Sequence, residues 1–414
     1  MPESERRARR ALACVVEAGD VRLAALVDRA GVEEVWRLIR ASADSGVSDA
    51  GPESWGSRAS QLDLDAVERA EARGRMRFLI PGDPDWPASL GVLASSPAVH
   101  DLGGLPLGLW VRGSVPFADA VAKSVSVVGS RASSPYGDRV ASGLAADLAL
   151  AGITVVSGGA YGIDAAAHRG ALAEGGPTVA FLASGVDSPY PKTNTSLLES
   201  VATSGVLVSE YPPGEHPTRP RFLARNRLIA AVSQGTVIVE AAARSGARNT
   251  ASWAITCGRP LMAVPGPVGN ATSYTPHELI REGQAVLVTS LDQVRELIEP
   301  IGTVELARPR RERLLDTLTD AQRAAYETIP SRGGRDAGEV SVLADLTMTE
   351  ALAALNGLAS AGLAVRGGDG LWRLGKITDR PLLPLETEAR GRQGTTASQR
   401  GAGQCSNSAA SSVV

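Results

Sequence analysis

The chain has 414 residues, is 43% hydrophobic and carries a formal net charge of −3 at pH 7. This length predicts two or three domains, and the charge balance excludes global basicity, so any anion-binding surface has to be local. The three cysteines, Cys14, Cys257 and Cys405, have no metal-binding or disulfide spacing, which is typical of the reducing cytoplasm. No apolar stretch approaches the ~18 residues that a membrane span requires, so we expect no membrane contact.

The N-terminal segment has apolar residues at helical spacing. Residues 5–40 predict short helices, and the Ser, Gly, Asp and Pro content of 42–57 predicts a linker or loop. A further helix is predicted over 61–73, followed by a strand over 76–80. We therefore expect a helical domain with a linker over residues 1–75.

Strand and helix patterns alternate between residues 108 and 290. The candidate strands are 108–112, 125–129, 153–157, 178–183, 206–210, 236–240, 261–264 and 285–288. This alternation predicts an α/β fold with a doubly wound, Rossmann-like sheet, in a domain over 76–302. Ligands of such sheets bind at the carboxyl ends of the strands.

Two glycine-rich loops follow buried strands and precede helices. The first contains Gly129, Ser130 and Arg131, and the second is the segment from Ser157 to Asp164. The second loop contributes Gly158, Gly159 and Gly162. Glycines let the backbone approach a ligand, and a helix N-terminus adds partial positive charge, so each loop is a candidate phosphate cradle. Neither loop has the Walker A or G-x-G-x-x-G spacing, so we expect no nucleotide cofactor.

Basic residues recur in or beside the loops at this edge. They are Arg131, Lys192, Arg225, Arg227, Arg244 and Arg248, with Asn226 between two of them. Such a set would follow a phosphodiester chain, and nearby aromatic residues would stack on single-strand bases. The aromatic candidates are Tyr136, Tyr161, Tyr190, Tyr211 and Phe222. The alternative is that the arginines are surface charges paired with Asp187, Glu210 and Glu240.

The chain has no complete catalytic constellation. Asp164 and His168 are spaced i, i+4, as an acid–base pair would be, but a carboxylate in a first helical turn is also explained by the helix dipole. Neither a metal-ligand set nor a Gly-x-Ser-x-Gly motif is present. We therefore expect a structural role for Asp164 and His168, no bound metal and no enzymatic activity.

The C-terminal region predicts a linker over 303–312, a winged-helix domain over 313–376 and a disordered tail over 377–414. The winged helix would comprise helices at 319–329, 338–346 and 349–361 and a hairpin over 363–374. Its recognition helix has no Lys or Arg and contains Glu350. Major-groove reading requires cations there, so protein contact or packing is the favoured role.

Several motifs along the chain resemble those of the bacterial DNA-processing protein family DprA, also called Smf. They are Val127–Arg131 with Tyr136-Gly137, Val156–Asp164 with His168, Gly185–Asp187 before Tyr190-Pro191, Ser209–Pro212, Arg225–Ala230, Val239–Ala241 with Ser245-Gly246 and Thr250-Ala251, and Ala263–Gly266. Their order and spacing agree with the family from about residue 80 to 290.

The resemblance implies a mediator that binds and protects single-stranded DNA in recombination and natural transformation and helps to load a RecA-type recombinase. It implies strand binding and homodimer formation by the Rossmann-like domain without a cofactor, and a helix-hairpin-helix or SAM-like N-terminal domain. By matching motifs, Arg131, Lys192, Arg225 and Arg227 would contact phosphate, and Gly129, Ser130, Gly158, Gly159 and Gly162 would shape the pocket.

The sequence allows two other functions. Nucleotide phosphoribohydrolases of the same fold carry Pro-Gly-Gly-x-Gly-Thr-x-x-Glu, whereas this chain has Ser233–Thr236 followed by Glu240. One glycine is missing and the carboxylate is displaced by one residue, which moves it to the other face of a strand. The second alternative is an interaction scaffold in which the winged helix does the binding.

Overall fold

The computed structural model describes residues 2–45, 53–300, 318–330 and 333–375. The chain divides into two compact units, Met1–Ala307 and Arg308–Val414. The predicted linker at 303–312 and tail at 377–414 lie outside the described residues, as does Cys405. The predicted division into five segments therefore stays a prediction.

Five helices begin the first unit. They are α1 (Glu3–Val15), α2 (Val21–Ala30), α3 (Val32–Ser45), α4 (Glu53–Ser60) and α5 (Leu64–Gly74). The prediction of a linker over 42–57 is wrong at both ends, where α3 finishes and α4 begins. The reason is Trp55, which α4 buries against Leu12 and Ile39, so one aromatic side chain outweighs the polar composition around it.

Polar contacts connect the N-terminal helices to the sheet and to the loop after the strand Arg77–Leu79. Glu71 of α5 accepts hydrogen bonds from Arg10 Nε (3.1 Å) and from Trp110 Nε1 (2.8 Å). Arg6 of α1 binds both carboxylate oxygens of Asp83, at 2.6 and 3.0 Å. Because these charges are paired with defined partners, the position of the helices against the sheet is specific.

The centre of the first unit is a nine-stranded sheet. Its strands are β1 (Arg77–Leu79), β2 (Leu109–Gly113), β3 (Ser124–Val128), β4 (Thr154–Ser157), β5 (Thr178–Leu182), β6 (Val206–Ser209), β7 (Gly235–Ile238), β8 (Leu261–Ala263) and β9 (Val286–Leu287). The spatial order is β1-β2-β6-β5-β4-β3-β7-β8-β9, parallel from β6 to β9, with β1 and β2 added antiparallel. The predicted α/β, Rossmann-like architecture is confirmed.

Helices cover both faces of this sheet. They are α6 (Phe117–Val121), α7 (Pro135–Leu150), α8 (Ile163–Ala173), α9 (Thr195–Ser204), α10 (Arg219–Val232), α11 (Ala247–Thr256), α12 (Tyr274–Arg281) and α13 (Leu291–Ile298). Successive side chains of a strand point to opposite faces of the sheet, so each strand packs against both helix layers. In β3, Val127 packs toward α7 and α8, whereas Val128 packs toward α10 and α11. Strand order reverses between β3 and β7, which opens a crevice at their carboxyl ends.

The second unit contains three helices and a hairpin. They are α14 (Asp320–Thr328), α15 (Ala337–Leu343), α16 (Met348–Ser360), β10 (Ala364–Arg366) and β11 (Trp372–Leu374), the two strands pairing antiparallel. Leu355, Leu358 and Trp372 lie in its core. The predicted elements are present, and their identification as a winged helix stays a prediction.

Within the described ranges, no single helix combines the length and the apolar composition needed to cross a membrane. Helices α15 and α16 meet those two criteria only when taken together, as a pair bent by 108°.

Candidate nucleic-acid interface

The two glycine-rich loops contact each other at the carboxyl edge of the sheet. Ile163 N donates to Ser130 O at 3.1 Å, and Gly162, with φ +71°, lies against the carbonyl groups of Ser130 and Arg131. A Cβ on Gly129 would lie 2.6 Å from Ile163 Cγ1. Side chains at either glycine would therefore separate the loops, a packing requirement that differs from the predicted approach of the backbone to a ligand.

Arg225 of α10 lies directly over the second loop. A Cβ at Gly158 would overlap the Arg225 guanidinium, so glycine at this position lets the guanidinium lie directly against the loop. Arg225 is 4% exposed, and neither Nε nor Nη1 has a hydrogen-bond partner among the described residues. Burial lowers the Arg225 pKa to about 10, and Asp164 opposes that shift while Arg131 adds to it. The site thus holds a desolvated cation with unused donors.

Arg131, Tyr190, Phe222 and Arg225 form what we call the arginine–aromatic cluster. The guanidinium carbon of Arg131 lies 4.2 Å from the Phe222 ring centroid, and that of Arg225 lies 5.9 Å from it. The rings of Tyr190 and Phe222 are 6.0 Å apart and inclined at 56°. Arg131 is exposed, and in the described part of the chain no carboxylate pairs with it.

Lys192 lies at the carboxyl edge of the sheet, where hydrogen bonds from Asn194 hold its segment. It is exposed and begins the 3₁₀ helix Lys192–Asn194. Asn194 Nδ2 donates to the carbonyl oxygens of Gly159 and Ala160, at 3.2 Å each. Ser157 Oγ is turned inward and donates to Val127 O at 2.7 Å. The hydrogen bonds of Asn194 therefore fix the segment that carries Lys192 to the second glycine loop.

The remaining predicted residues occupy different environments. Asn226 is buried and its amide lies 3.2 Å from Asn249 Oδ1. Arg244 and Arg248 are exposed on the loop after β7 and at the start of α11. In the described chain neither forms an ion pair, so both remain candidates for backbone contact.

Arg227 does not face the site. It is fully buried, with both terminal nitrogens bound to Glu210, and Nε donates to Gly104 O at 3.2 Å. Its donors are thus satisfied within the protein. This agrees with the alternative given in the sequence analysis, in which the arginines pair with carboxylates such as Glu210. This position does not support the prediction that Arg227 contacts phosphate, because reaching a ligand would require breaking a buried ion pair.

Asp164 and His168 lie beneath the second loop. Burial raises the pKa of Asp164, although Arg225 opposes the shift. Burial lowers the pKa of His168 to about 3, with Arg225 contributing, so the imidazole is neutral near pH 7. His168 Nδ1 lies 2.8 Å from Thr178 Oγ1. These surroundings agree with the structural interpretation, since both residues are buried.

Glu240 is engaged at the start of α7. Its carboxylate accepts hydrogen bonds from Ser134 N (2.8 Å), Ser134 Oγ (2.6 Å) and Thr272 Oγ1 (3.1 Å). It therefore stabilises a helix N-terminus. Over the residues that the structure describes, no group of three or more His, Cys, Asp and Glu side chains is arranged to hold a metal ion.

Comparison with known proteins agrees with the motifs. Residues 77–299 match the family model for DNA recombination-mediator protein A. A Mycobacterium tuberculosis relative named as a DNA processing protein, DprA, is 46% identical over 313 residues, which is 75% of this chain and 79% of the relative. Protein Smf of Escherichia coli is 42% identical over 176 residues, which is 42% of this chain and 47% of that protein.

A solved structure agrees as well. The X-ray structure of DNA processing protein A from Streptococcus pneumoniae is 30% identical and superposes with a TM-score of 0.57. The match covers 70% of this chain and 96% of that one. The predicted resemblance is confirmed, and with its family model matched over 77–299, this chain belongs to the DNA recombination-mediator protein A family.

Proposed function

We propose that this protein binds single-stranded DNA at the carboxyl edge of its sheet and protects the strand during recombination. The observation that carries the proposal is Arg225, a buried guanidinium whose Nε and Nη1 have no partner among the described residues. A buried cation with unmet donors is unfavourable alone, and an anionic ligand removes that penalty. A phosphate oxygen supplies both the charge and the acceptor.

Exposed aromatic rings favour a single strand over a duplex. Tyr161, in the second glycine loop, and Tyr190, in the cluster, are each 44% exposed. Bases of a single strand stack on such rings, whereas bases inside a duplex are already stacked on one another. Arg131, Lys192 and Arg225 would bind the intervening phosphates, with Arg244 and Arg248 extending the path.

Family membership supports the wider role. We propose that the Rossmann-like domain forms a homodimer, that the protein helps to load a RecA-type recombinase, including in DNA uptake and natural transformation, and that no cofactor is required. A phosphoribohydrolase activity is not proposed, because the Glu240 carboxylate is taken up by Ser134 and Thr272.

The proposal is tested by titrating a labelled oligonucleotide, single-stranded and as a duplex of equal length, over a salt series. Phosphate contacts from Arg131, Lys192 and Arg225 predict a slope of log K against log salt of roughly −2 for the single strand, and contacts from Arg244 and Arg248 as well would bring it to roughly −3.5. We expect the single strand to bind more tightly than the duplex. Equal affinities, or affinities that do not change with salt, would contradict the proposal.

The same titration with a chain ending at residue 307 tests the scaffold alternative. The exposed positions of α16 include Met348, Leu352 and Asn356 but no Lys or Arg, so the second unit offers few phosphate contacts there. We therefore expect nearly equal slopes for the full and truncated chains. A slope reduced by half would place the DNA on the second unit.

A further inference from the structure

We propose that α15 and α16 of the second unit form a docking surface for a basic, amphipathic helix of another protein. The inference goes beyond the proposed function, because it concerns a part of the chain to which no strand contact is assigned. Four large apolar side chains are exposed on these two helices. Val342 is 81% exposed, Leu343 55%, Met348 49% and Leu352 38%.

Helix α16 has apolar side chains on two sides. One side is buried in the core of the second unit and consists of Ala351, Ala354, Leu355 and Leu358. A surface helix normally has a polar face opposite the buried one, whereas Met348 and Leu352 are exposed here. Single exposed apolar residues are common on proteins, but several adjacent ones mark a binding surface.

The exposed side chains of α15 and α16 meet across the bend between the two helices, which is 108°. A Cβ on Gly338 would lie 3.7 Å from Met348 Cε, so Met348 reaches back to the first turn of α15. Val342 lies one turn after Gly338, and Leu352 lies one turn after Met348. These residues therefore form one apolar patch that both helices share.

The surroundings of this patch are acidic. Residues 336–365 contain four carboxylates and no Lys, Arg or His. All four carboxylates are exposed, and in the described part of the chain none forms an ion pair; they are Asp336, Glu339, Asp345 and Glu350. Glu339 lies one turn before Leu343, and Asp345 lies in the turn between the helices. We call the four apolar residues and these carboxylates the acidic–apolar surface.

The charges of the acidic–apolar surface decide between its possible occupants. Carboxylates repel the phosphates of a nucleic acid. A symmetric contact with a second copy would bring the same carboxylates face to face, and like charges across an interface are unfavourable. A helix with an apolar face flanked by Lys and Arg complements both the patch and its charges. Met348 favours such a partner as well, because methionine side chains adapt their shape to a docked helix.

A synthetic peptide represents this partner in a titration of the full chain. The labelled peptide has about four helical turns, with leucines on one face and lysines on the other. One control peptide has the same composition in scrambled order, and a second has glutamates in place of the lysines. We expect the leucine–lysine peptide to bind at least ~10-fold more tightly than either control. Equal affinities of the three peptides would overturn the inference.

Leu352→Gln tests whether the peptide binds at the apolar patch. Glutamine keeps a side chain of similar length but is polar, so the peptide affinity should fall by roughly 5–30-fold. Leu150→Gln is the matched control, because Leu150 is 69% exposed on α7 of the first unit. We expect this control to bind the peptide as the parent does. Parental affinity in Leu352→Gln, or an equal loss in both variants, would contradict the proposal.

Glu339→Gln tests the contribution of charge. The peptide affinity should fall by roughly 2–5-fold, and the difference from the parent should shrink at high salt. Glu174→Gln, at an exposed carboxylate after α8, is the matched control and should have no effect. If both variants lose the same affinity, the peptide is attracted by the overall charge of the chain, and the proposed surface is wrong.

Two further measurements on Leu352→Gln test the other occupants. We expect its affinity for single-stranded oligo(dT) and its mass in analytical ultracentrifugation to equal those of the parent. A loss of oligo(dT) affinity would assign the surface to nucleic acid, and a smaller assembly would assign it to a second copy. Either result would overturn the inference. Thermal unfolding of each variant shows whether it remains folded, as expected for substitutions at exposed positions.

Discussion

Arg227→Met should lower the free energy of unfolding by about 3–5 kcal/mol, the range measured when one partner of a buried ion pair is removed. Methionine fills much of the arginine volume but leaves Glu210, which is also buried, without its cation. The hydrogen bonds to Gly104 O and Ala224 O are lost with it. Chemical denaturation of the parent and the variant measures this difference.

The double variant Arg227→Met with Glu210→Leu is the control for that measurement. Replacing both charges by apolar groups removes the unpaired carboxylate, so most of the lost stability should return. If Arg227→Met alone unfolds at the parental denaturant concentration, the pair does not stabilise the fold.

Arg225→Gln should weaken single-strand binding by roughly 10–150-fold, which corresponds to a charge-assisted contact of about 1.5–3 kcal/mol. The expected effect on stability is small, because Nε and Nη1 of Arg225 form no hydrogen bonds in the described structure. Fluorescence titration and chemical denaturation of the same preparation measure both quantities.

Arg225 and Arg227 therefore form a matched pair, two residues apart on α10. Substitution of Arg225 is expected to weaken binding with little change in stability. Substitution of Arg227 is expected to lower stability, because it breaks a buried ion pair. If Arg225→Gln unfolds the protein while Arg227→Met stays folded and loses affinity, the two roles have been assigned the wrong way round.

The sequence does not distinguish these two arginines, for a physical reason. Every residue of α10 from Ala224 to Val232 is buried, so the helix has no polar face from which its orientation can be deduced. Residues two apart lie on nearly opposite sides of a helix, but the Arg-Asn-Arg motif does not indicate which side faces the crevice. The orientation depends on Glu210 and Gly158, which belong to distant segments of the chain.

Other features follow directly from local patterns. The buried parallel strands are continuous apolar runs, and the loops that need glycine have it, so both the sheet and the loops at its carboxyl edge are predictable. The contact of Arg131 with Phe222 is not predictable, because it joins a loop after β3 to a helix that begins 88 residues later. Helix α4 is not predictable from its polar composition, because the burial of Trp55 that stabilises it is a tertiary effect.

The most direct test of the account is the structure of the full chain bound to a single-stranded oligo(dT). We expect a phosphate oxygen within hydrogen-bonding distance of Arg225 Nε or Nη1, the two donors that lack a partner in the described structure. Arg131 should contact the same strand. A strand that lies on the second unit, or that leaves both Arg225 donors unbound, would contradict the central claim.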